Sequence, residues 1–189
     1  MAAIVEASQR ADSPYMVALV LSNVLDAPGL DFARAQGIST AARSHKGIKR
    51  PEFDAWIESE LTAHGIEWVA LAGYMRLLSP EFIAGREGRI VNIHPSLLPA
   101  YKGLDTHGRA LADGVSRHGC SVHIVTPALD DGPVLAQAEV PVLPGDTPDI
   151  LADRVLEQEH KLYQRRNARP NARGAAGSRW AKGWRSPPC

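Results

Sequence analysis

The chain alternates between short continuous apolar runs and segments whose apolar residues recur every three or four positions. Met16-Val17-Ala18-Leu19-Val20-Leu21 is apolar without interruption and stops at Ser22-Asn23. A run this short reads as a strand buried on both faces and followed by a loop. Trp68-Val69-Ala70-Leu71-Ala72, stopped by Gly73, reads the same way, and so does the shorter Ile90-Val91-Asn92-Ile93. Between these runs the period changes. Leu30 to Gln36, closed by Gly37, predicts a helix, and Pro51 to Ala63 predicts a second one with Phe53, Trp56, Ile57 and Leu61 on one face and Gly65 behind its end. Farther on, Thr106 to Ala112 predicts a short helix. Cys120–Val125 and Val134–Val140 predict two strands around the turn Asp130-Asp131-Gly132-Pro133. Thr147-Pro148 has the form of a helix start, threonine as N-cap and proline in the first turn, with Leu151, Val155 and Leu162 as the apolar face. No internal repeat is visible.

Buried strands alternating with amphipathic helices predict an α/β fold whose sheet is parallel at first, with the late strand pair adding an antiparallel element. Ligands in such sheets bind beyond the C-terminal ends of the strands. Three segments lie there: Ser22-Asn23, Gly73-Tyr74-Met75-Arg76 and Asn92-Ile93-His94-Pro95-Ser96.

The chain's 189 residues, 44% hydrophobic and 22% charged, suit a single globular domain with a sizeable core. No apolar run approaches the ~20 residues of a membrane span, and the N-terminal residues lack the pattern of a secretory signal. Two cysteines, Cys120 and Cys189, supply neither a disulfide framework nor zinc spacing, which suits a reducing cytoplasm. The net charge of zero conceals an asymmetry. Arg165, Arg166, Arg169, Arg173, Arg179, Lys182 and Arg185 face no acidic residue after position 163, which leaves an acidic body and a basic, Gly/Ala/Pro-rich tail. Domain bounds of 1–163 and 164–189 follow, with the tail expected to be disordered.

Asn92 and His94, two apart on a strand, share one face. An amide donor beside an imidazole suits a reaction that builds negative charge on oxygen and moves a proton, acyl transfer among them. Asp130, if its loop folds over the strand end, places a carboxylate against His94. Spacing alone also fits loop capping for the first two and ordinary turn chemistry for the third. A metal at His94, His123 and Asp130 is not favoured, because no helical His pair or Cys pair accompanies them. Ser96 lacks the Gly-x-Ser-x-Gly context of a nucleophile.

The longer string Asn92-Ile93-His94-Pro95-Ser96-Leu97-Leu98-Pro99, with Tyr101, Gly103 and Thr106-His107 behind it, resembles the signature of phosphoribosylglycinamide formyltransferases. Gly119-Cys120-Ser121-Val122-His123 and Leu129-Asp130-Asp131-Gly132-Pro133-Val134 extend the resemblance, which runs from about Ala3 to Tyr163. It implies a Rossmann-like formyltransferase fold and transfer of a formyl group from 10-formyltetrahydrofolate to the glycine amine of 5-phosphoribosylglycinamide, without metal. It also implies roles. Asn92 binds the developing oxyanion, His94 is the general acid, and Asp130 keeps that imidazole charged. Arg50, Met75, Arg76, Leu77 and Leu78 contact folate together with Pro127, Ala128 and Leu129. Glu159 and Pro95 serve the acceptor. His107 and His123 belong to the pattern but read as structural.

The chain departs from that pattern at both ends. The family's first strand and Gly-rich phosphate loop are missing: Ala3-Ile4-Val5-Glu6-Ala7 already matches the helix after them. The neighbours of a missing central strand are expected to lose ladder partners. The tail resembles translation in a shifted frame, or else a nucleic-acid-binding extension in which Trp180 and Trp184 stack on bases; nothing else in the chain points to nucleic acid. Alternatives to the transferase remain a remnant that only binds folate, a formyltetrahydrofolate hydrolase and a methionyl-tRNA formyltransferase. Oligomeric state is not legible.

Overall fold

The structure, a computed structural model, describes residues 1–167 and 178–184. It divides into two compact units, one built on residues 1–91 and the other on residues 92–167.

The first unit opens with α1 (Ala2–Ser8), β1 (Tyr15–Ser22), α2 (Pro28–Ala35), β2 (Ser39–Ala42), α3 (Arg50–Ala63), β3 (Trp68–Leu71) and α4 (Pro80–Gly85). β1 is the predicted apolar run, and Leu19 and Val20 at its centre are fully buried. In α3 the buried side chains Phe53, Ile57 and Leu61 fall at helical spacing. That helix stops where Gly65 takes φ 60° and the Ile66 amide bonds back to the Leu61 carbonyl at 2.8 Å. Asp54 on the same helix is buried because it has work to do: its carboxylate accepts from the Ser79 amide at 2.6 Å. Ser79 in turn caps α4 by accepting from the Phe82 amide at 3.2 Å. The residues between β3 and α4, which include 75–78, are thereby held at their C-terminal end.

β4 (Ile90–His94) carries the chain from the first unit into the second. There follow α5 (Thr106–Ala112), β5 (Arg117–Ile124), β6 (Val134–Pro141) and α6 (Pro148–Asn167). β5 and β6 pair antiparallel, as the turn at 130–133 predicts. Thr147 caps α6 through its hydroxyl, which accepts from the Ile150 amide at 3.3 Å. Leu151 and Val155 of α6 pack with Cys120 and Val140 as the core of this unit, and Leu162 lies against it.

α6 continues to Asn167, and residues 178–184 form β7 (Ser178–Trp184). In the first unit the parallel order is β2-β1-β7-β3, with β7 paired to β1 from Tyr15↔Ser178 to Ser22↔Trp184, the register shifting between Val17 and Leu19, and to β3 from Trp68↔Trp180 to Leu71↔Gly183. The expected loss of ladder partners therefore does not occur, because β7 supplies backbone donors and acceptors to both neighbours. Residues 168–177 and 185–189 lie outside the described residues, as do the side chains of Trp180 and Trp184 on which the stacking idea rested.

Two imidazoles are built into the second unit's interior. His118 on β5 is buried, and its ring stands edge-on to that of His107 on α5 with centroids 5.1 Å apart. Among the described residues neither His107 Nδ1 nor His118 Nε2 has a hydrogen-bond partner. Burial, with the His107 charge adding to it, pushes His118 down to about 4, and burial also lowers His107 and His123.

Two outcomes are expected. Ala181→Pro removes a ladder donor from a strand flanked on both sides and should cost ~3 kcal/mol in a denaturant melt; an unchanged melt contradicts β7. The lowered histidines are neutral when folded and bind protons more readily when unfolded, where their value is about 6.5. Stability should therefore be fully present above that value and fall as pH drops from there toward about 4. His118→Gln should make the slope of Tm against pH shallower, and an identical slope contradicts the assignment.

Candidate active site

The end of β4, the end of β5 and the loop before β6 bring four polar side chains together in the second unit. Asn92 and His94 project from β4 on one face, as their spacing predicts. His94 is buried. Its Nδ1 lies 3.3 Å from Asp130 Oδ2, and both side chains are more than nine-tenths buried, at 7% and 8% exposure. Its Nε2 lies 2.9 Å from the Tyr101 carbonyl oxygen. A carbonyl only accepts, so Nε2 carries a hydrogen; a carboxylate at Nδ1 favours a hydrogen there too. The ring's surroundings thus match the imidazolium form.

His123 of β5, read from sequence as structural, stands in the cluster. Its Nε2 is 3.2 Å from Asn92 Nδ2 and 3.6 Å from Asp130 Oδ1, and its Nδ1 is 3.0 Å from the Ile124 carbonyl. The Ile124 carbonyl requires a hydrogen on Nδ1, which leaves the Nε2 lone pair to accept from Asn92. Burial lowers this histidine and keeps it in that neutral form. Asn92 is thereby oriented through one amide hydrogen and retains its second N–H. The sequence signal for His123 was its position two residues beyond Ser121 on a strand beside the Asn92 strand, which becomes legible only once strand order is known.

Asp130 takes a left-handed conformation with φ 48°, and its Oδ2 also accepts from the Gly103 amide at 3.0 Å. Gly132 two residues later admits no side chain, since a Cβ there would collide with the Ile124 carbonyl. The turn can therefore close tightly enough to bring the carboxylate to the ring. Pro95 follows His94 directly and ends ladder pairing at the strand tip.

The remaining predicted residues lie elsewhere in the two units. In the second, Pro127, Ala128 and Leu129 are exposed on the loop ahead of Asp130. Glu159 on α6 is partly buried, and burial raises its carboxyl to about 7. It acts on Cys120 of β5, whose thiol is pushed up to about 12 by burial and then by this carboxylate. A thiol so far above neutrality is no nucleophile. Ser96 donates to the Ala100 carbonyl at 2.6 Å and is spent on its own loop. In the first unit, Arg50 opens α3 and is exposed, Met75 and Leu77 are about half exposed, and Leu78 is buried. Arg76 stacks its guanidinium 5.0 Å from the centroid of Phe53 and donates to the His45 carbonyl at 3.3 Å. Residues 75–78 form a loop, and the helix after them starts at Pro80. Among the described residues no group of three or more His, Cys, Asp or Glu is arranged to hold a metal, and no helix is long and apolar enough to cross a membrane.

The chain has relatives among known proteins. Residues 1–166 match the Formyl transferase family. The chain is 45% identical over 162 residues to phosphoribosylglycinamide formyltransferase of Escherichia coli, a match covering 85% of this chain and 76% of that protein. It is 41% identical over 162 residues to the human trifunctional purine biosynthetic protein adenosine-3, of which it spans 16%. Among solved structures, glycinamide ribonucleotide transformylase 1 from Symbiobacterium toebii superposes with a TM-score of 0.83 at 43% identity, over 86% of this chain and 77% of that one. Phosphoribosylglycinamide formyltransferase from Bacillus halodurans gives 0.85 at 32% identity, over 91% and 89%. A polar cluster at the tip of β4, an α/β fold and a family match across nearly the whole described chain agree, and the chain belongs to the formyl transferase family.

Proposed function

We propose that this chain transfers the formyl group of 10-formyltetrahydrofolate to the glycine amine of 5-phosphoribosylglycinamide, a step of purine synthesis. The observation that carries the reading is the convergence of an amide donor, a carboxylate-paired imidazole and a second, neutral imidazole at one strand tip. Likeness to relatives named for this activity supports it.

Each group has a task. The second N–H of Asn92 donates to the formyl oxygen as negative charge builds there, and His123 holds the amide in that orientation. His94 delivers a proton to the folate nitrogen as its bond to the formyl carbon breaks, while the attacking amine gives one up, so the exchange is proton-neutral. Asp130 offsets the imidazolium charge in a site where water cannot. Glu159, raised to about 7, exists near neutrality in both forms and so can accept from or donate to the glycinamide group. Within the second unit we assign folate contacts to residues 127–129, where the exposed apolar side chain of Leu129 suits the face of a pterin.

Purified protein should produce tetrahydrofolate from 10-formyltetrahydrofolate only when 5-phosphoribosylglycinamide is present; release with water alone would instead indicate a hydrolase. Asn92→Ala should lower turnover by an amount on the order of 3 kcal/mol, as loss of a preorganised oxyanion donor does. His94→Ala and Asp130→Ala should each lower it strongly, and an Asp130→Ala enzyme with unchanged rate and pH profile contradicts the pairing. Gly132→Ala, which forces the turn open, should reduce turnover while leaving the second unit folded by circular dichroism.

A further inference from the structure

Both partners of His94 are non-glycine residues in the left-handed region: Asp130 at φ 48° and Tyr101 at φ 55°. For an aromatic residue this conformation is unfavourable and persists only where its surroundings impose it. The Tyr101 segment is pinned on every side. Ser96 Oγ donates to the Ala100 carbonyl at 2.6 Å, and the Ala100 amide bonds to the Leu97 carbonyl at 3.0 Å. The Gly103 amide donates to Asp130 Oδ2 at 3.0 Å, and Arg109 Nη1 donates to the Lys102 carbonyl at 2.8 Å. The Tyr101 ring lies under the Arg109 guanidinium, 5.4 Å from its centroid, and its hydroxyl donates to Asp113 Oδ2 at 3.0 Å. The outcome of all this bracing is that one backbone carbonyl arrives 2.9 Å from His94 Nε2.

We infer that Tyr101 is a positioning residue for the general acid, holding a hydrogen on His94 Nε2 through its own carbonyl while Asp130 holds one on Nδ1. Neither neutral tautomer satisfies both acceptors. With hydrogen on Nε2 alone, a lone pair faces the Asp130 carboxylate; with hydrogen on Nδ1 alone, a lone pair faces the carbonyl. Only the imidazolium satisfies the two together, so the proton is stored until the Tyr101 carbonyl releases Nε2 or shares it. The other titratable groups acting on this ring are His123 and His118 from β5 and His107 from α5, all three lowered by burial and neutral near pH 7, which leaves Asp130 as the charge it answers to. The side chain of Tyr101 does not touch His94 through this contact; the backbone geometry does. A residue that tolerates the left-handed region should therefore serve better than a β-branched one.

This inference rests on His94 being the general acid of the proposed reaction, so its test joins kinetics to a readout that needs no turnover. Protein labelled with 15N-histidine should show hydrogen on both His94 nitrogens at about pH 7, with Nε2 exchanging slowly with water. Tyr101→Val should make that exchange fast and lower kcat about tenfold, with both KM values within about twofold of the parent. Tyr101→Gly and Tyr101→Asn, which tolerate the left-handed backbone but give up the ring's bracing contacts, should retain clearly more of the parental kcat than Tyr101→Val. An unprotonated Nε2 in the parent overturns the inference even if Tyr101→Val does not fold. So does a Tyr101→Val enzyme with parental kcat, or Gly and Asn variants that lose as much as Val. Absence of formyl transfer by the parent would sink the functional reading alone and leave the NMR result standing.

Discussion

A carboxylate more than nine-tenths buried must be paired or hydrogen-bonded, and Asp130 meets that requirement with the His94 ring and the Gly103 amide. Breaking such a pair by removing one partner typically costs several kcal/mol, because an uncompensated charge stays behind. The local structure around it follows from this constraint. The turn at 130–133 needs glycine at 132 so that the chain can fold over the strand tip, and Asp130 itself takes a left-handed backbone to aim its carboxylate. The ring it meets is fixed from the other side by the Tyr101 carbonyl. Asn92, two residues back on the same strand, is then oriented by His123 from the neighbouring strand. The site is less a set of four residues than one buried charge and the groups arranged to keep it paired.

The fold was largely legible because its elements carry strong local signals. The run at 16–21 and the helical spacing of Phe53, Ile57 and Leu61 could hardly have formed anything else, and Thr147-Pro148 marked the start of α6 correctly. α4 carries the same kind of signal in Ser79-Pro80 but is only six residues long, too short for a periodic face to show. β2, Ser-Thr-Ala-Ala, has almost no apolar content and becomes a strand because β1 offers it a ladder. β7 was missed for a deeper reason. Arg179, Lys182 and Gly183 break every apolar pattern, and its place between β1 and β3 is set by backbone groups that need partners, which no side-chain pattern reports.

At the site, Asn92, His94 and Asp130 were found through sequence spacing and a longer signature, and distance then joined them. His123 and Tyr101 were not assigned functional parts. His123 is thirty-one residues from Asn92 and meets it only because β5 lies beside β4. Tyr101 contributes a carbonyl, which every residue has, so nothing in its side chain announces the role. What distinguishes it is a backbone angle that sequence does not display.

In the proposed reaction Asp130 acts on chemistry through His94 and not independently of it. The direct test is a double-mutant cycle on kcat/KM with His94→Ala, Asp130→Ala and the two combined. The double variant should be scarcely slower than His94→Ala alone, since the carboxylate has nothing left to pair. Losses that simply add would show two separate contributions and contradict it.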